Sequence, residues 1–411
     1  MSAARPEIYL HVGAPKTGTT FLQSVLWGSR KQLCQQGVTL PGRGSGQHAH
    51  AALDVREMYD EKTHAPRAHG GLDRFAEALA DVRTPRALFS MEIIAPATPE
   101  QIDRFYAVLA DFDIHVIITA RDLARQIPST WQQHLQRRVQ RRYDAYLATV
   151  FDDPGLDCHV WRSQDIAEVA RRWGASLTPD RVHIVTVPPP GAPKSVLLER
   201  FCSVIGVDPA SVDTDAAQPN SSLSAPQAEL MRRVNVALGE RLKDRQDGYN
   251  QLAKGYLAKE VLSSQPGPGL VLPVRYADRC RELSTRMVEQ IRTAGYHVVG
   301  DLADMEPTVF GDDTVPAGAV RRRDLDANNA TVAAAGVQAI GAMLQQRYDD
   351  LAVIADLKQR LADNSSRASR QRRRIGAVRR IPARLVGRLP RMGAAAGVRG
   401  LPATSAVTHP R

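Results

Sequence analysis

A short apolar run, Ile-Tyr-Leu-His-Val at residues 8–12, passes directly into a turn bounded by Gly13 and Gly18, and then into an amphipathic stripe. That order constrains the fold more than any other feature of the chain. The apolar run has the length and the β-branched content of a buried strand. Gly13 and Gly18 tolerate the backbone angles of a tight turn. Phe21, Leu22, Val25, Leu26 and Leu33 then recur at helical spacing, which predicts a helix over 19–35, with Gly37 as its stop. Strand, glycine turn and helix in succession open a βαβ unit, and a βαβ unit requires a parallel sheet.

The same alternation continues along the chain. Strands are expected at 38–40, 87–91, 114–119 and 182–187, and helices at 99–112, 123–138, 194–205, 226–245 and 277–294. The stretch 41–71 is rich in glycine, histidine and charge and reads mostly as loop. Residues 301–324 carry proline and aspartate and read as a linker, and 330–361 as a long alanine-rich helix. The domain limits that follow are 1–304 for the α/β body, 305–328 for the linker, 329–363 for the helical segment and 364–411 for a basic tail.

Charge narrows the function classes. The 411-residue chain carries a formal net charge of +10. Twelve arginines and no acidic residue fall between Arg367 and Arg411, which leaves the rest of the chain near −2. A near-neutral body with a polybasic tail is not the footprint of a sequence-specific nucleic-acid groove. In the tail, Ile375, Val378, Ile381, Leu385, Val386 and Leu389 are spaced as an amphipathic face that suits an anionic membrane surface, though Pro382 and Pro390 interrupt it. A solvated, disordered tail is the plainer alternative. Cys34, Cys158, Cys202 and Cys280 are scattered and form no paired metal motif, so no metal is expected. No run of 18 apolar residues and no leader-like N-terminus occur, so the expected location is cytoplasmic, with the tail able to reach the inner face of the membrane.

The chemistry is concentrated in the first turn. Backbone N–H groups, a helix start and the Lys16 ammonium converge there on one point, which favours an anion. Thr17, Thr19 and Thr20 add hydroxyl donors. The turn is not a Walker A loop, in which lysine directly follows the second glycine of Gly-x-x-x-x-Gly-Lys-Ser/Thr. Here Lys16 precedes Gly18 by two positions, and no metal-binding aspartate accompanies it.

The hexapeptide Pro15-Lys16-Thr17-Gly18-Thr19-Thr20 resembles the 5′-phosphosulfate loop of the sulfotransferases that use 3′-phosphoadenosine-5′-phosphosulfate (PAPS), in their bacterial, carbohydrate- or lipid-modifying branch. A second stretch is similar to the same family. The strand at 114–119 leads to Arg121, and Ser129 follows eight residues later, the spacing with which that family holds the 3′-phosphate. Asn220–Leu223 and 295–301 also look like late segments of bacterial members, so the resemblance covers roughly residues 6–304. It implies a P-loop-like three-layer α/β sandwich with a central parallel sheet, and PAPS as co-substrate held by Pro15, Lys16, Thr17, Gly18, Thr19, Thr20, Arg121 and Ser129. The implied reaction is sulfuryl transfer by in-line displacement to a hydroxyl of a carbohydrate, a glycolipid or a small metabolite.

Lys16 is then the group expected at the leaving oxygen. Glu92 and His50 are rival bases: Glu92 because it follows an apolar run at a strand end, His50, beside His48, because it lies in the glycine-rich stretch. Arg125 competes with Arg121 on charge alone. Lys194 and Trp161 lack a motif, and the family's Arg-Lys-Gly segment is absent, so the adenine pocket has no assigned residues. The rival functions are a P-loop nucleotide kinase and a non-catalytic nucleotide-binding protein on the same fold. The helix at 330–361 can pack on the body or on a second copy of itself as a homodimer.

Overall fold

The computed structural model describes residues 5–59, 68–152, 159–214, 222–240, 249–311 and, with short gaps, 330–361. The basic tail, and with it the membrane expectation, lies outside these residues. The chain divides into two units, Met1–Met343 and Leu344–Arg411.

The first unit is built on a six-stranded, all-parallel sheet. Its strands are β1 (Glu7–Gly13), β2 (Val38–Thr39), β3 (Arg86–Ser90), β4 (Asp113–Ala120), β5 (Val182–Thr186) and, after a minor strand β6 (Leu272–Pro273), β7 (His297–Val299). The order across the sheet is β2-β3-β1-β4-β5-β7. The first apolar run is therefore central, with β3 on one side and β4 on the other. A second, two-residue pairing joins β6 to β8 (Phe310–Gly311).

Both faces of the sheet are covered, as a parallel sheet requires. Alternate strand residues enter different cores. Tyr9, Leu88, Ile117 and Val185 pack with Phe21, Leu22 and Leu26 of α1 (Thr19–Gly28), Leu33 of α2 (Arg30–Gln35) and Phe201. Ile8, Leu10, Phe89, Val116, Ile118 and Ile184 face the opposite way, into the larger core. That core receives α3 (Ser45–Val55), α4 (Gly71–Ala80), α5 (Pro99–Ala107), α6 (Leu123–Leu135), α7 (Tyr143–Phe151), α8 (Trp161–Gln164) and α9 (Ile166–Trp173). Leu197, Leu198 and Phe201 of α10 (Lys194–Ile205) close the first face. Residues of α11 (Ala225–Leu238) and α12 (Ala277–Ala294) join the second. The expected α/β three-layer arrangement is thus what the chain forms.

Three local expectations need correction. The helix foreseen over 19–35 is two helices, because the chain turns at the buried Ser29, whose Oγ accepts from the Asp213 N–H at 2.8 Å. Residues 45–55 are helical (α3), not loop. Small residues explain it: Ala51 and Ala52 are fully buried, and a Cβ on Gly71 would lie 2.4 Å from the His50 carbonyl oxygen, so only glycine lets α4 approach α3. The start of the supposed linker is packed: Leu302 and Met305 are in the core, and Asp304 pairs with Arg200 at 2.6 Å and accepts from the Thr186 hydroxyl at 2.8 Å.

Residues 330–340 are helical and belong to the first unit, with Val332, Ala335 and Ala339 buried, so the segment 329–363 is not set apart from the body as one piece. Among the described residues no helix is long and apolar enough to cross a membrane.

Candidate active site

Four successive strand ends supply the candidate site. The turn after β1 carries Lys16, the end of β3 leads to Glu92, β4 ends one residue before Arg121, and β5 opens into Val187 and a run of prolines. Parallel α/β sheets build their sites at this edge, where the strand order reverses around β1. Lys16, Gly18, Thr19, Thr20, Glu92, Arg121 and Ser129 all line one cavity of about 430 Å³. Two stretches a hundred residues apart in sequence are therefore brought to a single space.

The first turn is pinned from below. Thr119 of β4 accepts from the Ala14 N–H through its carbonyl at 3.0 Å, and donates from its hydroxyl to the Gly13 carbonyl at 2.9 Å. Buried His11 bonds the Ser90 hydroxyl at 2.8 Å, and burial alone lowers its pKa to about 3. Its ring is thus a neutral strut between β1 and β3.

Lys16 itself adopts a left-handed backbone, φ 70°, unusual for a residue with a side chain. Such a conformation costs on the order of 1–3 kcal/mol and persists where the surroundings over-determine it. Arg121 is one such support: its Nη1 donates to the Lys16 carbonyl at 3.1 Å. Gly18 is left-handed too, φ 89°, and a Cβ there would sit 2.6 Å from Leu197 Cδ2 on α10. The left-handed angle is what calls for glycine at this point, and Leu197 packs against it.

The electrostatics of the cavity are cationic. Lys16, Arg121, Arg125 and Lys194 line it against Glu92. Burial lowers the Lys16 pKa first, the neighbouring Arg121 charge lowers it further, and Glu92 opposes both. Arg121 is pushed down to about 10, again by burial first and by Arg125 next. Its Nε is buried and has no hydrogen-bond partner among the described residues. A buried, unpaired guanidinium N–H costs free energy until an acceptor arrives, so Arg121 is suited to an oxyanion.

Arg121 and Arg125 both line the cavity but differ in their partners. Arg125 forms an ion pair through Nε with Asp122, the residue that caps α6, and donates to the Pro188 carbonyl at 3.3 Å. It holds the loop after β5 in place. Ser129 lies one turn further along α6 and donates to the Arg125 carbonyl at 2.9 Å. Pro128 lies inside α6, which begins upstream at the Asp122 cap.

Not every anticipated residue faces the cavity. Pro15 and Thr17 do not line it. The Thr17 hydroxyl, fully buried, is turned inward and donates to the Ala14 carbonyl at 2.5 Å, so it shapes the turn and is not offered to a ligand. His50 is not among the lining residues either; it sits on α3, not in a loop. His48 is fully buried, stacked on Phe89 with centroids 4.8 Å apart, and receives the Ser90 N–H at 3.2 Å. Burial lowers its pKa to about 4. Trp161 is a core residue whose indole donates to the Val150 carbonyl at 2.9 Å. Of the two rival bases, Glu92 lines the cavity, and its Oε2 accepts from Gln23 Nε2 at 2.8 Å.

Gln133 and the 187–193 segment also line the cavity, and no motif in the sequence points to them; Ser222, from the stretch 220–223 that resembles a late segment of the family, and Lys194 line it as well. Position offers a signal for the segment: it follows the strand beside β4, and the Val187 N–H bonds the Ala120 carbonyl at 2.7 Å, next to Arg121. Among the described residues, no three His, Cys, Asp or Glu side chains gather as a metal site requires.

Comparison with known proteins yields one solved structure, a sulfotransferase from Alicyclobacillus acidocaldarius, 18% identical, covering 60% of this chain and 100% of that one at a TM-score of 0.32. No family model and no curated protein matches the chain.

Proposed function

We propose that the chain is a sulfotransferase that moves a sulfuryl group from PAPS to the hydroxyl of a carbohydrate, a glycolipid or a small metabolite. The observation that carries the reading is Arg121: a part-buried guanidinium whose Nε is buried and unpaired, lining the same cavity as Lys16 and bonded to its carbonyl. A nucleotide with phosphate at both ends needs two anion sites joined by one space, and the two sequence motifs supply them.

In this reading the helix start at Thr19 and Thr20, with Lys16, receives the 5′-phosphosulfate, and Arg121 with Ser129 receives the 3′-phosphate. The acceptor oxygen attacks sulfur while the bond from sulfur to the 5′-phosphate oxygen breaks. Adenosine 3′,5′-bisphosphate leaves, and Lys16 neutralises the charge that develops on its oxygen. Glu92 takes the acceptor's proton. Burial favours this use of Lys16, since a desolvated ammonium acts more strongly on a nearby oxyanion than a hydrated one.

The test is transfer of label from ³⁵S-PAPS to extracted lipids, glycans and small metabolites, using the full chain. Labelled product formed without added magnesium supports the reading. Turnover of ATP with magnesium and none of PAPS would favour the nucleotide-kinase alternative instead.

A further inference from the structure

We propose that Gln23 is the positioning residue of the base: its side-chain amide fixes one oxygen of the Glu92 carboxylate and leaves the other to the acceptor hydroxyl. The inference rests on the sulfotransferase reading, with Glu92 as its base, and adds the residue that aims that base.

The contact joins α1 to the short turn that follows β3. Gln23 lies on α1, one helical turn beyond Thr19 and Thr20. Its Nε2 donates to Glu92 Oε2 at 2.8 Å, and both side chains are half-buried. Glu92 begins a 3₁₀ turn, Glu92–Ile94, whose backbone is held from two directions. The Met91 N–H bonds the His11 carbonyl of β1 at 3.1 Å, and Arg56 donates to the Ile93 carbonyl at 3.0 Å. The backbone at Glu92 is thus fixed, but that alone does not aim a side chain with several rotatable bonds. Among the described residues, the bond from Gln23 is the one hydrogen bond to the Glu92 carboxylate, and no ion pair restrains it.

The chemistry suits the role. An ionised carboxylate accepts through two oxygens. Oε2 is taken by Gln23, and Oε1 accepts no hydrogen bond among the described residues. The proton leaving the acceptor oxygen goes to Oε1 as the oxygen–sulfur bond forms and the bond from sulfur to the 5′-phosphate oxygen breaks. An amide is a neutral donor: it holds the carboxylate by a charge-assisted bond and brings no counter-charge to compete with the incoming proton. Glu92 lines the cavity and Gln23 does not, so Gln23 acts on the acceptor only through Glu92.

One helix then serves both reactants. In the proposed reaction the start of α1, with Thr19 and Thr20 on the cavity, receives the phosphosulfate, and Gln23 one turn further on aims the base. A single rigid element sets sulfur and base relative to each other. In-line transfer depends on that, since a displacement of about 1 Å can cost about a hundredfold in rate.

The experiment is a double-mutant cycle in ³⁵S-PAPS transfer by the full chain, with Gln23→Ala, Glu92→Gln and the two combined, on the extracted acceptor fraction that the native chain labels. Gln23→Ala should lower kcat about 10–100-fold, with the KM for PAPS held within about twofold. In the Glu92→Gln background the same change should cost less than about twofold, because the group it aims no longer takes a proton. Gln23→Glu, close in size but without the donor, should lose as much as Gln23→Ala; if the alanine variant melts early, the glutamate variant carries the cycle. Losses that multiply in the double variant, an unchanged kcat in Gln23→Ala, or a native rate in Gln23→Glu, which leaves only packing, overturn the positioning role. No transfer by the native chain removes the sulfotransferase reading and this inference with it; transfer by the native chain with independent losses overturns the inference alone.

Discussion

Arg121 Nη1 donates to the carbonyl oxygen of Lys16 at 3.1 Å, tying the end of β4 to the turn that follows β1. The bond makes the two motifs parts of one object. It also leaves the Arg121 Nε buried and unpaired. Replacing Arg121 by alanine should therefore weaken adenosine 3′,5′-bisphosphate binding by about 1.5–3 kcal/mol, the worth of a hydrogen bond to a charged group. Arg125→Ala should mainly lower stability, because its partners are Asp122 and Pro188. Calorimetry on both variants checks this; equal losses of affinity would mean that Arg125 shares the role.

Lys16→Ala should abolish turnover of PAPS and leave the fold intact, since the side chain makes no hydrogen bond or ion pair among the described residues and its backbone is held by Arg121. A normal rate in this variant, with a native melting profile, would remove Lys16 from the mechanism.

Glu92→Gln should lower the transfer rate about 10²–10⁴-fold, the usual worth of a general base. It keeps an oxygen for Gln23 to donate to, so the local bond at 2.8 Å survives. His50→Ala should keep most of the activity, because His50 sits on α3 and does not line the cavity. Rates for the two variants decide between them; loss only in His50→Ala would reverse the assignment.

Acid should unfold the protein early. His11 and His48 are fully buried, and His183 nearly so, with pKa values lowered to about 3, about 4 and about 3 by burial first. In the unfolded chain each titrates near its ordinary value of about 6.5. Above that pH both states are neutral at these rings and the stability is fully present. Below it the unfolded chain takes protons that the folded chain refuses, so stability falls until the pH reaches the folded values. Each ring contributes on the order of 1.4 kcal/mol per pH unit at most. Melting temperatures at pH 7.5, 6.5, 5.5 and 4.5 should be level at first and then drop steeply; a level profile down to pH 4.5 contradicts the burial of these rings.

What could be read from the sequence was what local pattern determines. The first strand, its glycine turn, and Arg121 with Ser129 rest on apolar runs and fixed spacings, and the sheet brings them to one edge as those patterns imply. Helix α10 begins and ends where the apolar spacing puts it, at Lys194 and Ile205. Helix α3 was hidden because Gly44 and Gly46 sit at its start and the first two turns of its buried side carry only His48, Ala51 and Ala52, which give little amphipathic signal. The packing of 301–311 was hidden because Asp304 gains its bonds from Thr186 of β5 and Arg200 of α10, and Leu302 and Met305 their burial in the larger core, all from residues far away in sequence. The choice between Arg121 and Arg125 could not be made from residue type, since both are arginine on the same turn of chain; an ion pair to Asp122 separates them.

The central claim is that one cavity grips a nucleotide by phosphates at both of its ends. Its most direct test is the affinity of the native chain for adenosine 3′,5′-bisphosphate beside that for adenosine 5′-monophosphate and adenosine 3′-monophosphate. Removing either phosphate deprives one anion site of its ligand and should cost about tenfold or more, so both monophosphates should bind at least that much more weakly than the bisphosphate. Equal affinities for all three, or no binding of the bisphosphate, would contradict the account.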